Sequence, residues 1–218
     1  MSVIRRPGVL GQTTQRRLVG ATSALSAAAI EALTVGTWFA LVAVESRTIF
    51  TALAGLGVLL FGSLLRTGVL GSVTTNPYHR SQPMRFVAAI ILTGSWLVWL
   101  LTAEWIGGAE GIVLAGIVLA VGLCVQFTLE RRTYYRYRST RLRRTFTDTL
   151  VPSILVALGA TILLTATWIV DWAVVFALFP IGETTLTLEV GSIAAGFVGY
   201  GVFLFLAQQR RFHRLLTP

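Results

Sequence analysis

Six apolar runs, each long enough to cross a bilayer as a helix, constrain this chain more than any other feature. They cover about 19–44, 49–71, 86–107, 109–129, 151–174 and 188–208. A spanning helix needs about 20 mostly apolar residues, because lipid offers no water to the backbone and every N–H and C=O must be satisfied within the segment. Composition agrees. The chain is 55% hydrophobic and only 12% charged, with a mean hydropathy of +0.75. Soluble domains carry about 25% charged residues. A soluble globule, a disordered chain and a disulfide scaffold are therefore excluded. The expectation is an all-α integral membrane bundle.

The first run resembles a signal sequence at its start. It is longer than a cleavable apolar segment, and no small-x-small site follows it, so it reads as the first span. Spans 1 and 2 join through Glu45-Ser46-Arg47-Thr48, and spans 3 and 4 through Gly107-Gly108-Ala109-Glu110. Short connections of this kind bring neighbouring helices back antiparallel, and the expected arrangement is three antiparallel hairpins. The linker 72–85 is polar, with Pro77 and Pro83 as breakers. Residues 184–188 alternate like a strand, but no pairing partner is evident. They read as a loop entering span 6, while 173–187 as a whole fits either a helix extension or a loop.

Arginine placement sets the orientation. All 18 basic residues are arginine. If the N-terminus is cytoplasmic, 16 arginines lie in inner segments, Arg47 alone lies outside and Arg66 lies within span 2. The positive-inside rule then places both termini in the cytoplasm and the protein in the cell membrane. Residues 1–18 form a basic cytoplasmic segment, 19–209 the membrane domain and 210–218 a basic cytoplasmic tail.

The odd-numbered spans share a short pattern: Gly36-Thr37-Trp38, Gly94-Ser95-Trp96 and Ala166-Thr167-Trp168. The even-numbered spans share Ala54-Gly55, Ala115-Gly116 and Ala195-Gly196. Such marks fit three related helix pairs. The ordinary abundance of small residues, Thr and Trp in membrane helices accounts for them better, since the spacing between the marks drifts from copy to copy.

Ionisable groups inside spans are costly and normally have a partner or a purpose. Glu31 in span 1 and Arg66 in span 2 lie at depths that differ by roughly 5 Å, counted at about 1.5 Å per residue from the turn near Arg47. Their long side chains close that gap, so an ion pair across the first two spans is expected, in the inner half of the membrane. A polar path through the bundle would draw on Thr37, Ser95, Glu104, Gln126, Thr167 and Asp171. Glu104 and Asp171 would supply acids near the outer surface, and Gln126 a hydrogen bond to a neighbouring helix.

The segment 130–147 is the most basic part of the chain. Arg131, Arg132, Tyr134, Tyr135, Arg136, Tyr137, Arg138, Arg141, Arg143 and Arg144 form a candidate surface for anionic headgroups or an acidic partner protein. A tether to the membrane at both ends argues against nucleic acid. The lone Cys124 cannot form an internal disulfide and reads as a small packing residue. The absence of lysine excludes a retinal Schiff base. Neither His79 nor His213 lies in a span, which excludes a bis-histidine haem within the bundle. No zinc-protease, nucleotide-binding or triad pattern occurs.

No cofactor, metal or enzymatic activity is expected. The leading expectation is a non-enzymatic membrane component, a scaffold or accessory subunit, acting with a protein partner or as a homo-oligomer. The alternatives are a small transporter or channel using Glu31 and Arg66 with Glu104 and Asp171, and a lipid-modifying enzyme.

Overall fold

A computed structural model describes residues 9–44, 48–74, 83–135, 147–181 and 184–216. Six helices dominate: α1 (Val9–Phe39, continued by a π-helical turn Ala40–Val44), α2 (Ile49–Thr74), α3 (Pro83–Ile106), α4 (Gly108–Tyr135), α5 (Thr147–Trp168) and α6 (Ser192–Leu216). Each contains a stretch long and apolar enough to cross a membrane. Between α5 and α6, strands β1 (Ala173–Ile181) and β2 (Thr184–Gly191) pair antiparallel.

Local chemistry explains where the helices start and stop. Before α2, the Thr48 hydroxyl accepts from the Thr51 amide at 3.1 Å, and the Thr51 hydroxyl accepts from the Thr48 amide at 2.9 Å. This reciprocal cap satisfies two amides that the first helical turn leaves open. The α3–α4 turn relies on Gly107 and Gly108 at φ +73° and +59°, a region that disfavours any residue with a Cβ. Pro83, expected in the 72–85 loop as a breaker, is instead the first residue of α3. Proline suits that position, since the amide it lacks would have no helical partner.

The 173–191 region corrects the sequence reading. The partner missing for 184–188 is 176–181, just beyond the run assigned to span 5. Ala173 pairs with Gly191 and Ile181 with Thr184, with a bulge between Ala177 and Phe179. A hydrogen bond from the Ser192 amide to the Trp172 carbonyl, 2.9 Å, closes the base of the ribbon where α6 begins. Apolar β-branched and aromatic residues suit both a buried helix and a strand, so hydropathy alone runs the two together.

Consecutive helices pack on one another, and α6 returns to pack on α1, giving a ring in chain order. α1 and α2 approach closely at Gly62, where a Cβ would stand 2.1 Å from the Thr34 side chain. Each helix turns one stripe inward. On α3 it reads Ala89, Leu92, Trp96, Trp99 and Ala103, all buried. On α4 it reads Ile112, Ala115, Leu119, Leu123, Gln126 and Glu130. The outward faces are apolar too, with Leu33, Phe61, Ile90, Leu101, Ile117 and Val198 exposed as lipid contact requires.

The shared pattern of the odd-numbered spans does not give equivalent environments. Trp38 and Trp96 are buried and in contact, whereas Trp168 is 37% exposed. Gly55 and Gly196 face side chains of α1 and α5, while Gly116 faces Thr161 of α5 and not α3.

Candidate functional site: a buried ionic cluster

The interior has two levels. Nearer the β-ribbon is an aromatic cluster. Trp96 stands edge-on to Trp99, with ring centroids 5.4 Å apart, and edge-on to Tyr200 at 5.9 Å. Trp38 meets both tryptophans at 6.4 Å, and Phe39 leans on Trp99 at 6.1 Å. These are the preferred edge-to-face and tilted arrangements of aromatic pairs. Counting seven residues from Trp38 back to Glu31, or eleven from Tyr200 on to Arg211, the second level lies about 10–16 Å away along the helix axes.

That second level is ionic. Arg66, on α2, is fully buried. It donates through Nη1 to Glu31 Oε2 at 2.8 Å and through Nη2 to Glu130 Oε1 at 3.2 Å. Arg211 of α6 donates to the other oxygen of Glu130 and, through Nη1, to Gln208 Oε1 at 3.0 Å. Gln208 in turn donates to Glu31 Oε2 at 2.9 Å. Gln126 donates to Glu130 Oε1 from one turn earlier on α4. Phe127 lies against both guanidiniums, 3.9 Å from Arg211 and 5.5 Å from Arg66.

Helical spacing makes this assembly local on each element. Gln126 and Glu130 share a face at i, i+4, as Gln208 and Arg211 do at i, i+3. Two carboxylates face two guanidiniums, so the charge is balanced where a single buried charge would be prohibitive. The cluster ties α1, α2, α4 and α6 together.

Of the residues singled out from sequence, the structure brings together Glu31, Arg66 and Gln126. The others do not converge on a path. Thr37 and Asp171 are exposed, and Glu104 is partly exposed. Ser95 and Thr167 donate to Ile91 and Leu163 carbonyls, at 2.7 and 2.8 Å, on their own helices. Membrane helices commonly satisfy hydroxyls by this i−4 bond, which commits the hydroxyl proton within the helix and leaves the oxygen as an acceptor.

Glu130, Gln208 and Arg211 were missed. Sequence reading placed Glu130 in the basic loop and Arg211 in the tail, because polar residues end an apolar window. In the structure α4 runs on to Tyr135 and α6 to Leu216. The stripe itself held the signal, since 119, 123, 126 and 130 continue one face of α4.

Of the candidate arginine–tyrosine surface, Arg131, Arg132, Tyr134 and Tyr135 belong to α4. Arg131 forms an ion pair with Asp148 at 3.2 Å. Arg136, Tyr137, Arg138, Arg141, Arg143 and Arg144 lie outside the described residues. Cys124 is half-buried and sits 3.8 Å from the Thr149 hydroxyl. Among the described residues, no group of three or more His, Cys, Asp and Glu side chains is placed to hold a metal ion.

Six spanning-length helices around a packed, charge-compensated interior are the build of a multi-pass membrane protein. No protein-family model, characterised protein or solved structure matches the chain.

Proposed function

We propose that this chain is a non-enzymatic component of the cell membrane, a scaffold or accessory subunit. In this reading its six spans form three antiparallel hairpins with both termini cytoplasmic. The arginine-rich stretch around 131–144 then faces the anionic inner leaflet or an acidic partner protein. The distribution of arginine supports the orientation. Juxtamembrane arginines each gain about 1 kcal/mol from an anionic surface, which supports the assignment to lipid or an acidic partner.

The observation that carries the reading is the use made of the intramembrane charges. Glu31 and Arg66 are bound to Glu130, Gln208 and each other, and Glu130 is bound to Arg211. Charges committed to holding four helices together serve architecture. A transport path needs charges that face water or cargo.

Native mass spectrometry of the protein, extracted gently from its own membrane, tests the proposal. The expected result is a retained protein partner or anionic lipid that is lost when the arginines at 131, 132, 136, 138, 141, 143 and 144 are replaced by glutamine. A chain that retains neither, and whose reconstitution into liposomes produces an ion flux abolished by Glu31→Gln in folded protein, would overturn it in favour of a transporter.

A further inference from the structure

Several buried polar atoms in and around the ionic cluster lack a hydrogen-bond partner among the described residues, and three of them are Glu31 Oε1, Arg66 Nε and Trp96 Nε1. Their residues come from α1, α2 and α3, and all three line one small cavity. Thr34, Gly62 and Ser63 add hydroxyls and backbone, Val35, Leu59 and Leu92 complete the wall with apolar side chains, and its volume is about 10 Å³. Gly62 lets the Thr34 side chain come so close to α2 that a Cβ there would stand 2.1 Å from it, which holds Thr34 at the cavity wall. Thr34 and Ser63 already donate their hydroxyl protons to the Ile30 and Leu59 carbonyls, so their oxygens are left as acceptors.

We propose that this cavity is a binding site for a single water molecule. The water donates to Glu31 Oε1 and accepts from the N–H of Trp96 or Arg66. Size and chemistry both select water. A volume of this order admits one water, and a buried water needs two to four polar partners. The Arg66 guanidinium repels a metal cation, the Glu31 carboxylate repels an anion, and a larger solute does not fit. The water extends the ionic cluster to α3 through Trp96, which stands edge-on to Trp99 and Tyr200. It therefore links the two levels of the interior.

The direct test is a structure of the full chain in lipid, at a resolution that shows ordered water. The expected result is a density peak within hydrogen-bonding distance of Glu31 Oε1 and of Trp96 Nε1 or Arg66 Nε. An empty cavity, direct pairing of these side chains, or a peak caged by several oxygens at metal-ligand distance would overturn the proposal. Thermal unfolding of two variants supplies an independent readout. The Trp99 Nε1 also lacks a partner but lies outside this cavity. Removing an unpartnered N–H relieves a desolvation cost, whereas removing a water-bonded one breaks a bond. Trp96→Phe should therefore lower the unfolding midpoint by about 2–4 °C more than Trp99→Phe does. An equal or smaller fall for Trp96→Phe would count against the water.

Discussion

The aromatic and ionic levels solve the same packing problem with different physics. At the aromatic level, Trp38, Phe39, Trp96, Trp99 and Tyr200 fill the middle of the ring by shape. Their contacts are many and individually weak, and neighbouring rings can share a loss. At the ionic level, Glu31, Arg66, Glu130 and Arg211 are joined by a few directional bonds, and each carboxylate meets at least one guanidinium. In lipid there is little hydrophobic drive between helices, so packing and hydrogen bonds must specify which faces meet. The aromatic level fills volume, and the ionic level fixes the register of α1, α2, α4 and α6.

This contrast can be broken most forcefully at Glu130. Glu130→Gln changes almost no volume, yet it leaves two guanidiniums facing one carboxylate. The expected loss is about 3–5 kcal/mol of stability, measured by unfolding in lipid or mild detergent. A loss under about 1 kcal/mol would mean that the cluster contributes no specificity. At the aromatic level Trp99→Phe removes more volume but strands no charge, so a smaller loss of about 1–2 kcal/mol is expected.

Additivity sharpens the comparison further. A double-mutant cycle on Glu31 and Arg66, using Glu31→Gln and Arg66→Gln, should show coupling of about 0.5–3 kcal/mol, because the second change partly relieves the imbalance left by the first. Gly62→Ala probes the backbone approach beneath the cluster. The new methyl group would collide with Thr34, with an expected cost of about 1–3 kcal/mol, whereas Gly57→Ala on the open face of α2 should be neutral or slightly stabilising. The smallest effect is expected at Trp168, whose partial exposure places Trp168→Phe within about 0.5 kcal/mol of the parent. A loss there matching that of Trp38→Phe would revive the threefold equivalence that the burial pattern argues against.

Part of the ionic site was legible in advance. Counting residues from one turn placed Glu31 and Arg66 at similar depths, since the rise per residue of a helix is fixed. Gln126 was recognisable as a polar group needing a helix partner. Glu130 and Arg211 were not, because a hydropathy window treats a charge at the end of an apolar run as the start of water. Whether it is water or the interior of a longer helix depends on what opposes it. The β-ribbon was hidden for a related reason: 173–181 is apolar enough to pass for membrane helix, and only its pairing with 184–191 shows otherwise.

The sequence by itself determined the number of spanning helices, their approximate limits and the pairing of Glu31 with Arg66, because these follow from run length and helical rise. It did not determine which face of each helix turns inward. In a soluble bundle the apolar stripe marks the core. Here the lipid-facing side is as apolar as the packed side, and that contrast largely vanishes. Only the tertiary structure, by setting Glu130 and Arg211 against Arg66 and Glu31 and by closing α6 onto α1, decided which side of each helix is the inside.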